Sequence, residues 1–251
     1  MRKWIGLLAV LASVDAMAWE CRYERNIEQT LDVSGSESLA IAAGAGDLEI
    51  TGVRGQKKVS IRGTACASKE EWLDDIRIET EAGEQARLGV VLPGTDNHWS
   101  WSSWGSRYAY LDLVLEVPRN LALDVRDSSG EINMADVGAV KVGDSSGDLD
   151  IRGAGGSVEI SDSSGDISVR DVEGDLTIVS DSSGAILGQD IDGSVRVISD
   201  SSGGMRFEGV SGNVVVERDS SGDIRVARVG GDFTVLRDGS GDIRSAAVEG
   251  K

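Results

Sequence analysis

The stretch DSSGDISVRDVEGDLTIVS, residues 162–180, is followed at Asp181 by the same four-residue opening, and this recurrence decides the fold. Asp-Ser-Ser-Gly begins at Asp127, Asp144, Asp162, Asp181, Asp200 and Asp219, and a variant, Asp-Gly-Ser-Gly, begins at Asp238. The steps are 17, 18 and then four of 19 residues. Within each unit apolar residues alternate with polar ones in two short runs, the pattern of strands with one buried face. The inward positions recur as Leu149 and Ile151, or Ile224 and Val226, in the first run. In the second they are Val158 and Ile160, Val195 and Val197, Phe233 and Val235. Between the runs Val137, Val172, Ile191, Val210, Val229 and Val248 stand just before a glycine, to which this reading gives the positive φ of a tight corner.

One such unit cannot bury its aliphatic face alone. Stacking units about 4.8 Å apart closes a core and pairs each strand with its copies above and below. About five inward aliphatics per unit, each contributing roughly 1.5–3 kcal/mol on burial, suffice collectively. No apolar pattern of period 3.6 persists, so helical repeats are excluded, and a propeller blade needs about 40 residues. The pattern therefore predicts an all-β, single-domain parallel β-helix, or β-solenoid, with rungs of 17–19 residues.

Ahead of the regular part the pattern loosens. Gly46 to Gly55 followed by Val59-Ser60-Ile61 reads as the same strand–corner–strand unit. Residues 67–120 are irregular: Ser68 to Asp75 reads as a short helix capped by Ser68 and Glu71. Ile76–Glu79, Arg87–Leu92 and Tyr110–Val117 read as longer strands, the last stopped by Pro118. The expected organisation is one domain over residues 19–251, divergent over 19–120 and regular over 121–251.

The N-terminus has its own logic. Met1-Arg2-Lys3, an apolar run from Trp4 to Val14, and Ala16-Met17-Ala18 form a basic head, a short apolar core and a small-residue exit. This is the pattern of a secretory signal peptide over residues 1–18, too short for a membrane span of about 20 residues. Ala18-Trp19-Glu20 ahead of Cys21 is not the small-residue box that directs lipid attachment. The expected location is periplasmic or extracellular, with no membrane insertion. Cys21 and Cys66 are the two cysteines, and in an oxidising compartment an even count favours a disulfide between them. The formal charge of −18 makes nucleic acid and anionic membrane surfaces poor partners and leaves cations, proteins and glycans.

From Val117-Pro118-Arg119-Asn120, through Leu121 to Val125, the chain enters the first Asp-Ser-Ser-Gly. With the serial Ser-Gly-Asp-Ile-x-Val units and the short helix before the middle strands, it resembles the bacterial "putative adhesin" family. That domain of unknown function is related to the head domain of autotransporter adhesins. The resemblance covers roughly residues 30–250. It implies a β-helical fold and an exported location, and it brings no catalytic residues.

Two constellations are candidates for function. Stacking aligns Asp127, Asp144, Asp162, Asp181, Asp200, Asp219 and Asp238 in one column. Neighbouring carboxylates about 4.8 Å apart repel by about 1 kcal/mol in water, and several times that at an effective dielectric of 20. Either each accepts amides of its own turn, with serine hydroxyls bridging rungs, or Asp144, Asp162, Asp181, Asp200 and Asp219 ligate a divalent cation such as Ca²⁺. A second acidic set, Asp148, Asp166, Asp223 and Asp242, is interrupted by Ala185 and Gly204 and reads as a solvated face. The other candidate is the segment from His98 to Trp104. Trp99, Trp101 and Trp104, with Tyr108 following, either fold over the body as a hairpin or contact a protein or glycan at the cell envelope. A single histidine and the absence of a Gly-x-Ser-x-Gly elbow argue against an enzyme, including a polysaccharide-active one. The expected role is binding, adhesion or scaffolding. The alternative is a self-assembling subunit, since open solenoid ends suit homo-oligomer formation.

Overall fold

A computed structural model describes residues 21–94 and 107–250. The described residues are all-β apart from a single turn of helix. Its divergent half contains β1 (Tyr23–Asp32), β2 (Ser38–Ala45), β3 (Leu48–Val53), β4 (Lys58–Ala67), α1 (Glu70–Leu73), β5 (Arg77–Glu81), β6 (Gln85–Val91) and β7 (Ala109–Pro118). In the regular half β8 (Ala122–Ser129), β10 (Val140–Gly143), β12 (Val158–Ser161), β14 (Leu176–Ser180), β16 (Val195–Val197), β18 (Val214–Val216) and β20 (Phe233–Val235) lie side by side in one sheet. The intervening strands β9 (Ile132–Ala135), β11 (Leu149–Ala154), β13 (Ile167–Val172), β15 (Ile186–Ile191), β17 (Met205–Val210), β19 (Ile224–Val229) and β21 (Ile243–Val248) lie in the other.

Each repeat thus gives one strand to each sheet, and the pairing is parallel and in register. Leu149 faces Ile167, Ile167 faces Ile186, Ile186 faces Met205, and Met205 faces Ile224. A period-2 pattern with one apolar face cannot slip by a residue without turning that face to water. The repeat of inward aliphatics therefore sets the register. Val137, Val172, Ile191, Val210 and Val229 are also buried, at the turn from one sheet to the other. Val248 and Phe233 are only partly covered, and Leu236 and Ile243 are exposed at the last repeat.

The divergent half departs from a simple run of stacked units. The sheets run β7-β3-β9 and β6-β2-β8, so the early unit β2–β3 is flanked by strands made later on both sides. Val59-Ser60-Ile61 does not continue that unit into the second sheet. It belongs to β4, which runs antiparallel between β1 and β7 in the first sheet. The anticipated strand–corner–strand unit is therefore correct in its first strand and wrong in its second: alternation of Val59 and Ile61 suits either pairing direction. The helix is also shorter than expected, and its capping box is absent. Lys69 occupies the N-cap with no side-chain bond. The Ser68 hydroxyl instead accepts the Tyr108 amide at 3.2 Å, and the Ser68 amide donates to the Tyr108 carbonyl at 2.9 Å.

The glycines before the second strands do not supply positive φ. Positive φ falls on Asp136, Asp171, Asp190, Arg228 and Ala247, with Gly153 and Gly209 in the same column, each immediately before the apolar residue of the corner. Gly174 and Gly193 are needed for closeness instead: a Cβ on Gly193 would lie 2.6 Å from the carbonyl oxygen of Gly174. The glycines of the Asp-Ser-Ser-Gly corners have the positive φ, from +128° at Gly147 to +147° at Gly222.

Cys21 and Cys66 form a disulfide with Cα atoms 5.7 Å apart, as the sequence leads one to expect. It ties the chain ahead of β1 to β4 across a separation of 45 residues. Closing such a loop removes unfolded-state entropy. The Cys21→Ala/Cys66→Ala variant should lose about 2–4 kcal/mol in urea unfolding. An unchanged midpoint would show that β1–β4 pairing alone holds this end.

Candidate functional site

The corner that joins the second sheet to the first holds the aspartate column. Backbone bonds stack its turns: the amides of Asp144, Asp162, Asp181, Asp200 and Asp219 donate to the carbonyl of the residue preceding the next Asp, at 2.9–3.0 Å. Asp127, Asp144, Asp162, Asp181, Asp200 and Asp219 are all buried, whereas Asp238, at the last repeat, is exposed. The column forecast from the repeat is thus six buried carboxyls and one solvated one.

Their hydrogen bonding alternates. Asp144 accepts the amide of Ser145 at 2.7 Å, Asp181 that of Ser183 at 3.3 Å, and Asp219 that of Ser221 at 3.1 Å. These are the turn amides anticipated from the Asx-turn reading. Neither oxygen of Asp127, Asp162 or Asp200 has a partner in hydrogen-bond geometry, although the serine amides of their own turns lie near enough to offset part of the rise in their pKa. The serine hydroxyls bridge repeats. Ser146, Ser164, Ser183, Ser202 and Ser221 donate to the carbonyls of Ser128, Ser145, Ser163, Ser182 and Ser201 in the preceding turns, at 3.0–3.4 Å.

Burial raises the pKa of all six carboxyls, making each a weaker acid. It pushes the Asp200 carboxyl up to about 7, with the charges of Asp181 and Asp219 adding to the effect. Asp127 is pushed up to about 7 by burial and then by Asp144. Asp162 rises to about 6 by burial, with smaller contributions from Asp144 and Asp181. Asp144, Asp181 and Asp219 are raised by burial as well, and the amides they accept offset part of it. As for a metal, the described residues contain no group of three or more His, Cys, Asp or Glu side chains placed to hold one. A calcium ion takes six to eight converging oxygens.

Two further sets of side chains join the repeats. Of the post-glycine acids, Asp148, Asp166 and Asp242 are exposed and Asp223 is partly covered, and three of the four also bond to the next repeat. Asp148 accepts the Asp166 amide at 2.9 Å, Asp166 the Ala185 amide at 2.8 Å, and Asp223 the Asp242 amide at 3.1 Å. At the opposite corner Ser157 accepts the Asp175 amide, Asp175 the Ser194 amide, Ser194 the Asn213 amide and Asn213 the Asp232 amide, at 2.7–3.2 Å. This second staircase was not foreseen. Its signal was present: Ser, Asp or Asn follows the corner glycine in each of five units.

The aromatic candidate is divided. Trp99, Trp101 and Trp104 lie outside the described residues, as does the segment 1–18 read as a signal peptide. Tyr108, where that connection enters β7, is half-buried, and its ring centroid lies 6.2 Å from that of Tyr110. The Tyr108 hydroxyl accepts the Arg22 amide at 3.3 Å, next to the disulfide, and Tyr110 pairs with Cys66 in register. Among the described residues no helix is long and apolar enough to cross a membrane.

No family model and no curated protein matches the chain. Solved structures do. It is similar to a "putative adhesin" from Bacteroides fragilis NCTC 9343, at 12% identity and a TM-score of 0.57, over 88% of this chain and 97% of that one. It is also similar to a "putative adhesin" from Parabacteroides distasonis ATCC 8503, at 12% identity and a TM-score of 0.41, covering 90% and 97%. A "putative lipid binding protein" from the same species matches at 16% identity and a TM-score of 0.39, covering 88% and 96%. The resemblance read from the Val-Pro entry and the serial repeats is thus met in the solved structures, and what the chain shares with the Bacteroides fragilis protein is its fold.

Proposed function

We propose that this chain is an exported, non-catalytic β-solenoid that binds a protein or glycan partner at the cell envelope through the aromatic connection between β6 and β7. In this reading residues 1–18 are removed, and residues 19–251 form one domain with rungs of 17–19 residues. The in-register pairing of residues 18 or 19 apart supports the rung length. The observation that carries the binding role is the anchorage of the connection. Its exit, Tyr108, is bonded to Arg22 and Ser68 beside the Cys21–Cys66 bridge, so the described end of the connection is held at a stapled part of the body. Exposed aromatic platforms suit stacking on sugar rings or docking on protein surfaces.

The test is the Trp99→Ala/Trp101→Ala/Trp104→Ala variant, assayed on a glycan array and by pull-down from envelope fractions. The expected result is loss of binding with an unchanged circular dichroism spectrum and thermal midpoint. Retained binding, or loss of folding alone, would leave these residues no recognition role.

A second reading, self-assembly, is favoured by the last repeat. Leu236 and Ile243 are 63% and 47% exposed, and β20 and β21 are sheet edges. Uncovered edges of this kind pair readily. Light scattering of the mature protein at high concentration decides it, because a strictly monomeric species defeats the assembly reading.

A further inference from the structure

We propose that the buried column of Asp127, Asp144, Asp162, Asp181, Asp200 and Asp219 is a proton-binding ladder, in which every second carboxyl holds a proton and shares it with a carboxylate of an adjoining repeat.

The argument starts from burial. The six residues are 1–6% exposed. A carboxylate so buried needs donors, and the donors are unevenly distributed. Asp144, Asp181 and Asp219 each accept a serine amide at one oxygen, while both oxygens of Asp127, Asp162 and Asp200 are unpartnered. Along the column the two kinds strictly alternate. A buried ion without a donor is disfavoured far more than a neutral acid, which carries its own donor. Asp200 lies within hydrogen-bonding reach of the carboxylates of both neighbouring repeats, Asp181 and Asp219, whereas at Asp127 and Asp162 the neighbouring carboxylates act through their charge. Backbone bridges link Asp181, Asp200 and Asp219 directly.

The other charges that bear on the column are also acidic. Asp47 acts on Asp127, Asp166 on Asp181 and Asp238 on Asp219, each favouring the protonated form. The raised pKa values of the three unpartnered members, about 7, 6 and 7, agree with the same alternation.

The sign of the pH effect follows. The folded values lie above the ordinary 3.8 of an aspartate. The folded chain thus holds protons that the unfolded chain has lost. The resulting stability is present in full below about pH 4. It falls as pH climbs toward the folded values, and it is gone once pH has passed through about 6 to 7. In that window each such proton changes the unfolding constant by up to about tenfold per pH unit, so three change it by up to about a thousandfold.

The experiment uses the mature protein in a chelating buffer. The infrared band of protonated carboxyl groups is recorded at pH 6, and urea unfolding is followed from pH 5 to 8, with added calcium as a separate arm. Expected are a protonated-carboxyl band at pH 6, proton release on unfolding there, and stability that declines with rising pH. In Asp127→Asn/Asp162→Asn/Asp200→Asn the band should vanish and the pH dependence flatten, because a neutral amide replaces a neutral acid. No band in the unmodified protein, or stability flat from pH 5 to 8, overturns the proposal whether or not the variant folds. Calcium that abolishes the band at pH 6 while stabilising the fold also overturns it, and makes the column a cation site.

Discussion

Gly203→Ala is expected to unfold the regular half of the molecule. Gly203 has φ of +134°, and a Cβ built there would lie 1.6 Å from the carbonyl oxygen of Gly184 and 2.7 Å from its carbonyl carbon. Both atoms are backbone, so no rotamer change relieves the contact. The neighbouring corner can retreat only by breaking the parallel pairing of β15 with β17, where Ile186 faces Met205. Strained φ and steric overlap together place the loss above about 4 kcal/mol, the range reserved for the severest single substitutions. Gly143→Ala is the control, since nothing lies within 4 Å of a Cβ there. That variant should stay within about 0.5–1 kcal/mol of the parent. If the two variants showed the same urea midpoint, the close approach of successive corners would not be a stability determinant.

The second large effect concerns Phe207. It is fully buried, the bulkiest such side chain in the core, and it faces Gly188 on one side and Val226 on the other. A Cβ on Gly188 would lie 2.7 Å from Phe207 Cδ1, so the ring occupies the space that a side chain of the neighbouring repeat would otherwise fill. Phe207→Ala should cost about 3–5 kcal/mol by leaving a cavity. Gly188→Val alone should cost about 1–3 kcal/mol by overpacking. The pair Gly188→Val/Phe207→Val reproduces the aliphatic stacking of Val169 and Val226 and should recover much of both losses. A coupling of about 0.5–3 kcal/mol in the double-mutant cycle is expected, and simple additivity would sink the argument.

The regular half was legible because its information is local and repeated. Alternation at Leu149 and Ile151, or Val158 and Ile160, names the buried face, and recurrence every 17–19 residues names the partner strand. The divergent half offered no second copy to compare. Val59 and Ile61 alternate equally well in a parallel or an antiparallel strand, so the placement of β4 between β1 and β7 rests on contacts far apart in sequence. The same holds for Ser68, whose hydroxyl is claimed by the amide of Tyr108, 40 residues away, rather than by its own helix. Glycine was read for its φ alone, yet Gly174 and Gly193 are required by the nearness of adjoining corners. Of the candidate residues, the aspartates were visible as a column. Their division into partnered and unpartnered members was not, because every copy has the same letters and the difference lies in the hydrogen-bond geometry of each turn.

The interleaved order β7-β3-β9 bears on how the chain can assemble as it is made. The unit β2–β3 emerges early, but one of its edges stays empty until β6 and β7 are available and the other until β8 and β9, beyond Pro118, are. Its partners are separated from it by long loops that must close first, a slow step for any chain. Once β8 and β9 are seated on it, each later unit finds a finished template one repeat away and adds with little loop to close. The divergent half is therefore the seed and the regular half the growth. A lesion in β2 or β3 should delay everything after it, whereas one in β18 or β19 should leave the earlier repeats to form on schedule.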